Sequence, residues 1–149
     1  MEALPQNTII FEEPDDPLKQ EKYRDIHEVD DNLYLSGCYE AHNKYLLEDL
    51  GITHIVNVTT DIANKFEGDY KYFVVPVEDL AQEDLAKYFE PAANFIDQAL
   101  QGDIKEESTV INKVLVHCRA GCSRSPSIII AYMIWKYHTP FHTALKKIK

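Results

Sequence analysis

Residues 114 to 125 read V-L-V-H-C-R-A-G-C-S-R-S and run directly into the apolar segment Pro126 to Tyr137. A short β-branched run, a glycine-containing turn and a long apolar run predict strand, loop and helix in succession. In such a loop the backbone N–H groups converge on one point, and the positive end of the helix dipole adds to them, which is the architecture of an anion site. Cys118 opens the loop and Arg124 closes it, with Gly121 between them and Ser125 directly after. Wrapping a tetrahedral oxyanion takes short links, backbone freedom at a glycine and a cation at the closing end, and all three are present. Arginine suits the last role better than lysine because its planar fork holds two oxygens at once. The same groups favour a thiolate over a thiol at Cys118, and a thiolate held against a phosphorus atom is a nucleophile in position.

Working outward, Leu33-Tyr34-Leu35 after the acidic turn Asp30-Asp31-Asn32 reads as a first short strand, and Ala41 to Leu50 as a helix stopped by Gly51. Thr53 to Thr59, T-H-I-V-N-V-T, is a second strand whose β-branched run shows little alternation, as expected of a strand buried on both faces of a parallel sheet. Tyr70 to Val77 is a further strand with Pro76 near its end, followed by the polar loop Glu78 to Asp84. From Leu85 to Leu100, Phe89, Ala92, Ala93, Ile96 and Leu100 recur at helical spacing, and Pro91 must start or kink that helix. The segment from Ile128 to Trp135 is apolar nearly all round, which predicts a central buried helix with Met133 and Trp135 in the core. A last helix begins near Phe141. Alternating strands and helices give an α/β fold, a mostly parallel central sheet with helices on both faces, whose active site lies beyond the carboxyl ends of the strands.

The whole chain has 149 residues, enough for one core of ordinary size. Residues 1 to 24 read as a loose acidic arm around one apolar island, Ile9-Ile10-Phe11, that is capable of docking, and residues 25–149 as the domain. A net charge of −10 argues against general affinity for nucleic acid or anionic lipid, since both need basic surface. Three cysteines, without a signal-like start or an apolar run long enough to span a bilayer, point to a reducing compartment, cytoplasmic or nuclear.

The nonapeptide H-C-R-A-G-C-S-R-S resembles the His-Cys-x5-Arg-Ser/Thr signature of the cysteine-based protein tyrosine phosphatases. The flanks S-R-S-P-S-I-I-I-A-Y-M, Y-F-E-P-A-A-N-F-I-D, N-L-Y-L-S-G and G-I-T-H-I-V-N-V narrow the likeness to small atypical dual-specificity phosphatases, over roughly residues 26 to 149. The resemblance implies a phosphatase-type fold and a two-step, metal-free and cofactor-free hydrolysis of phosphorylated protein through a cysteinyl-phosphate. In it Cys118 attacks and Arg124 holds the equatorial oxygens, within a phosphate-binding loop of Arg119, Ala120, Gly121, Cys122, Ser123 and Arg124. Alignment to the family pattern makes Asp79 the acid and base of the two steps, although on chemistry alone Glu78, Glu83 and Asp84 compete with it. Ser125 matches the hydroxyl that helps the thiolate leave, and His117 the histidine that orders the loop from behind. Asn57 either tethers the loop or makes a strand-end hydrogen bond. The resemblance also implies a final helix beyond A-L-K-K-I-K, so the domain reads as C-terminally short, with bare apolar surface and a loss of several kcal/mol of stability.

Plainer readings stand beside these. A buried structural cysteine is a common fate, but the register of Cys118 with Gly121, Arg124 and Ser125 favours the nucleophile. Arg119 reads as a rim residue facing solvent, and Cys38 as packed. Cys122 reads as a small filler, with a minor reading as a thiol that traps oxidised Cys118. The spacing of Cys118 and Cys122 does not suit zinc. Two other functions compete with protein dephosphorylation: a phosphoprotein-binding module with little catalysis, and a phosphatase for lipid or RNA phosphates, which the acidic composition disfavours.

Overall fold

A computed structural model describes residues 26–77, 85–102, 111–119 and 124–148. Five strands form one sheet: β1 (Ile26–Asp30), β2 (Leu33–Ser36), β3 (His54–Asn57), β4 (Lys71–Val74) and β5 (Val114–His117). Their spatial order is β1-β2-β5-β3-β4, with β1 antiparallel to β2 and every other pairing parallel. The helices are α1 (Cys38–Ala41), α2 (Lys44–Leu50), α3 (Phe89–Gln101), α4 (Arg124–Tyr137) and α5 (Phe141–Ile148), with a short 3₁₀ turn at Ala86–Tyr88. The α/β arrangement expected from alternating elements is the one observed.

Period-two alternation sends side chains of the central strands to opposite faces. Leu33, Leu35, Val56, Val114 and Val116 join one cluster with α3, α4 and α5, built on Ala92, Ile96, Ile128, Ile129 and Met133. Tyr34, Ile55 and Leu115 join the other with Leu47 and Ile52. All four residues of β2, β3 and β5 are buried, which explains the unbroken hydrophobic runs that stood in place of alternation. Each fully buried Leu or Ile contributes about 1.5–3 kcal/mol through apolar surface removed from water.

Element ends follow local chemistry. The Asn43 side chain accepts from Leu46 N at 3.1 Å and caps α2, while Gly51, at φ +80°, ends it in the left-handed conformation with its N–H on Leu47 and Glu48 carbonyls. The predicted helix from Ala41 thus divides into α1 and α2 at Asn43. Pro91 lies in the first turn of α3, where its missing N–H leaves no helical bond unmade, so it starts the helix and does not kink it.

Two expectations need correction. β1 was not anticipated: its I-H-E-V-D sequence lacks alternation, yet it adds antiparallel to the sheet edge with Ile26 opposite Ser36. Trp135, expected in the core with Met133, is 40% exposed, whereas Met133 is 1% exposed. Helix α4 meets the sheet, α3 and α5 along part of its circumference only, and Ile134 and Trp135 fall on the uncovered part.

The Gly51 conformation gives a direct prediction. A Cβ there would meet Lys113 Cδ at an ordinary 3.8 Å, so Gly51→Ala should destabilise through backbone conformation alone, by about 1–2 kcal/mol. Urea unfolding of the two chains measures this, and Gly51→Asn should cost less than Gly51→Ala.

Candidate active site

The three central parallel strands end level with one another: Ser36 and Asn57 both pair with His117. Cys118 is the next residue, fully buried, and Val58 N donates to the His117 carbonyl at 2.9 Å to lock the strand ends together. Helix α4 starts at Arg124, and its second residue, Ser125, is also fully buried. Ser125 Oγ donates to Cys118 Sγ at 3.0 Å. The end of the strand and the start of the helix are thereby bonded through the sulfur, and the hydroxyl is placed to support negative charge on it.

Arg124 is buried and donates from Nη1 to the main-chain oxygen of Val77 at 3.0 Å. Val77 is itself buried and bonded back to the Val75 carbonyl at 2.9 Å. The guanidinium therefore links the start of α4 to the chain just before Glu78. Asp79, Ala120, Gly121, Cys122 and Ser123 lie outside the described residues.

His117 is buried behind Cys118, with Nδ1 3.4 Å from the Cys118 carbonyl, which accepts from the Nδ1–H tautomer. Burial, reinforced by the nearby His42, pushes its pKa down to about 4, against a weaker upward pull from the carbonyl. His42 is shifted down as well, chiefly by burial, and its Nε2 sits 2.9 Å from the Ala63 oxygen. Two neutral imidazoles thus back the site, and they act as supports, not as proton carriers near neutral pH.

The described bonds of Asn57 run to the turn that follows β3: Nδ2 donates to the Ile62 carbonyl at 2.8 Å and to Asn64 Oδ1 at 2.9 Å, and Oδ1 accepts from Thr59 Oγ1 at 2.6 Å. Of the two readings of Asn57, these are the strand-end bonds. They shape the turn carrying Asp61, which pairs with Arg119. Arg119 is 54% exposed and Asp61 47%, so the pair marks the rim of the site and adds little to stability. Nothing in the sequence linked these two residues, which are 58 positions apart. The Arg119 carbonyl also accepts from Cys38 N at 3.2 Å and Cys38 Sγ at 2.9 Å, and Cys38 is buried, with burial pushing its thiol up. Among the described residues, no group of three or more His, Cys, Asp or Glu is placed to hold a metal ion.

Known proteins agree with this geometry. Residues 33–149 match the family described as "Dual specificity phosphatase, catalytic domain". The chain is 39% identical over 117 residues to "Dual specificity protein phosphatase 4" of Gallus gallus, covering 78% of this chain and 29% of that protein. It is 34% identical over 126 residues to "Dual specificity protein phosphatase 1B" of Arabidopsis thaliana, covering 85% of this chain and 71% of that one. Among solved structures, a point variant of human DUSP28 superposes with a TM-score of 0.74 at 25% identity, covering 83% of this chain and 80% of that chain. The human "tyrosine phosphatase-like serine/threonine/tyrosine-interacting protein" gives 0.72 at 28% identity, covering 83% and 81%. The chain belongs to the dual-specificity phosphatase catalytic-domain family, within the cysteine-based protein tyrosine phosphatase superfamily. It spans less than a third of the length of the chicken relative.

The buried histidines predict the acid limb of the stability profile. Unfolded, His117 titrates near 6.5; folded, near 4, so between these values the unfolded chain binds a proton that the folded chain refuses. Stability due to this group is complete above pH 6.5 and should be lost as pH falls toward 4, by up to about 3 kcal/mol. Urea unfolding at a series of pH values should show a steeper loss in wild type than in His117→Asn.

Proposed function

We propose that this chain hydrolyses phosphotyrosine and phosphoserine or phosphothreonine in phosphorylated proteins through a cysteinyl-phosphate on Cys118. The observation that carries the reading is the 3.0 Å bond from Ser125 Oγ to Cys118 Sγ, at a junction where a buried Arg124 opens the following helix. In the first step the Cys118 thiolate attacks phosphorus while the bond to the side-chain oxygen of the substrate breaks. Arg124 holds two equatorial oxygens, and main-chain N–H groups of residues 119–124 hold the rest. Asp79 gives the leaving oxygen its proton. In the second step the Asp79 carboxylate takes a proton from water, the water oxygen attacks phosphorus and the sulfur–phosphorus bond breaks. The Ser125 hydroxyl stabilises the departing thiolate, and phosphate is released.

The assignment of Asp79 is supported by the bond from Arg124 to the Val77 carbonyl, because Asp79 is only two residues further on and its Cα is at most about 7 Å from that of Val77. His117 and Asn57 support the site from behind and beside it. Cys38 and Cys118, both present as thiols, suit a reducing compartment, cytoplasmic or nuclear.

Cys118→Ser should abolish hydrolysis of p-nitrophenyl phosphate, and equal rates in the two chains would sink the proposal. Phosphopeptide binding without turnover in wild type would favour a binding module instead. A faster rate on a phosphoinositide or a 5′-triphosphate RNA than on a phosphopeptide would move the substrate class. Asp79→Asn should lower kcat on a phosphopeptide by about 10²–10⁴-fold with little change in binding, as loss of a general acid does. Ser125→Ala should slow the second step more than the first, seen as a burst of p-nitrophenol followed by a slow steady state in rapid-mixing kinetics.

A further inference from the structure

The rim pair of Asp61 and Arg119 takes no part in the two chemical steps, yet both partners rise from segments that are held firmly. Asp61 sits in the turn that leaves β3, and that turn is stapled from inside. Asn57 Nδ2 donates to the Ile62 carbonyl and to Asn64 Oδ1, and Ile62 N donates to Thr59 Oγ1 at 3.2 Å, with Thr59 and Ile62 both buried. Arg119 directly follows Cys118, and its carbonyl accepts from Cys38 N and Cys38 Sγ. The ends of β3 and β5 share one row of the sheet, since Asn57 pairs with His117. Two pinned segments therefore present one carboxylate and one guanidinium to solvent next to the nucleophile. An exposed pair contributes little to stability. What this pair does fix is the charge that meets substrate residues beside the phosphoresidue.

We infer that Asp61 is a specificity-determining residue, through which the site prefers phosphoresidues flanked by lysine or arginine over those flanked by aspartate or glutamate. This role rests on the proposed function, since it takes a phosphopeptide seated in the Cys118 loop. Two effects of the one carboxylate act in the same direction. It balances the charge of Arg119, so an acidic residue beside the phosphoresidue gains little from that guanidinium. It also accepts: among the described residues its contact with Arg119 engages Oδ2 alone, and a carboxylate has acceptor sites on both oxygens, so Oδ1 is open to a substrate ammonium or guanidinium. The net charge of −10 works at longer range in the same sense, by raising the encounter rate of basic segments. The general field and the local carboxylate are separable, because Asp69 offers an exposed acid elsewhere, paired with Lys44 at 2.8 Å. It lies just before β4, whose first residue, Lys71, pairs with His54 at the start of β3, so Asp69 stands at the amino end of the parallel strands, opposite the site.

Binding to a chain that cannot turn over reads this preference directly. Labelled phosphotyrosine peptides that differ only in carrying Lys or Glu on both sides of the phosphoresidue are titrated by fluorescence anisotropy into Cys118→Ser, alone and combined with Asp61→Asn, Asp61→Glu or Asp69→Asn, with the unphosphorylated peptides as blanks. The ratio of Kd values, Glu-flanked over Lys-flanked, should exceed unity in Cys118→Ser and fall by about 2–5-fold on adding Asp61→Asn, as loss of one exposed ion pair implies. Asp61→Glu, which keeps the charge, should keep most of the ratio, and Asp69→Asn should leave it unchanged. Salt at about 0.5 M should shrink the effect of Asp61→Asn, because the charges face solvent. A ratio that Asp61→Asn does not alter would overturn the inference, and so would equal changes from Asp61→Asn and Asp69→Asn, which would reduce the preference to net charge. Phosphate-dependent binding to none of the chains would overturn it as well. Failure of the proposed function reads separately: a wild type that does not hydrolyse p-nitrophenyl phosphate, with a Kd ratio that still follows residue 61, would sink the catalytic reading and uphold the role of Asp61.

Discussion

Level ending of β2, β5 and β3 is the constraint on which the site depends. Ser36, His117 and Asn57 share one row of the ladder. Whatever follows each of them emerges at the same height: Cys38 and α1 from β2, the Cys118 loop from β5, and the turn braced by Asn57 from β3. A slip of one residue in β5 would turn every one of its side chains to the opposite face, exchanging Leu115 with Val114 and Val116. Both faces of β5 are packed, so such a slip is strongly opposed. The position of the sulfur is therefore set by apolar packing far more than by polar contacts around it.

Around that fixed point the polar groups connect elements that the backbone leaves apart. Ser125 joins helix α4 to the sulfur, Arg124 joins it to the strand exit at Val77, and Cys38 joins α1 to the loop through the Arg119 carbonyl. His117 is held neutral by burial, which keeps a charge out of the space behind Cys118. Arg119, paired with Asp61 at the rim, is the exposed cation, and Arg124 is the buried one. A phosphate arriving at the site would meet the first before the second.

The sequence made the centre of this molecule legible and its periphery less so. Val114 to His117 and the apolar run after it showed strand, loop and helix because burial on both faces demands consecutive apolar residues. Cys118, Arg124 and Ser125 were legible because oxyanion chemistry restricts residue type and spacing together. β1 was not, since an edge strand with one buried residue carries almost no pattern and its start merges with the acidic arm. Trp135 was misplaced because composition records how apolar a helix is, but not which of its sides a neighbour will cover. The ion pair of Asp61 with Arg119 and the bond from Arg124 to a main-chain oxygen had no signal, the first because the fold alone unites the partners, the second because a carbonyl has no letter of its own.

That last bond sets an unusual pattern of tolerance. Because Arg124 recognises the carbonyl at position 77 and not the side chain, the identity of residue 77 is constrained only by its burial, and several aliphatic residues would serve equally. The number of residues from that carbonyl to the carboxylates after it is another matter, since one residue added or removed there changes the length of chain that ties them to the partner of the guanidinium. Evolution can thus rewrite the letter at position 77 while holding the length of the stretch after it, so that a gap in an alignment at this point would carry more functional meaning than an exchange of one aliphatic residue for another at Val77.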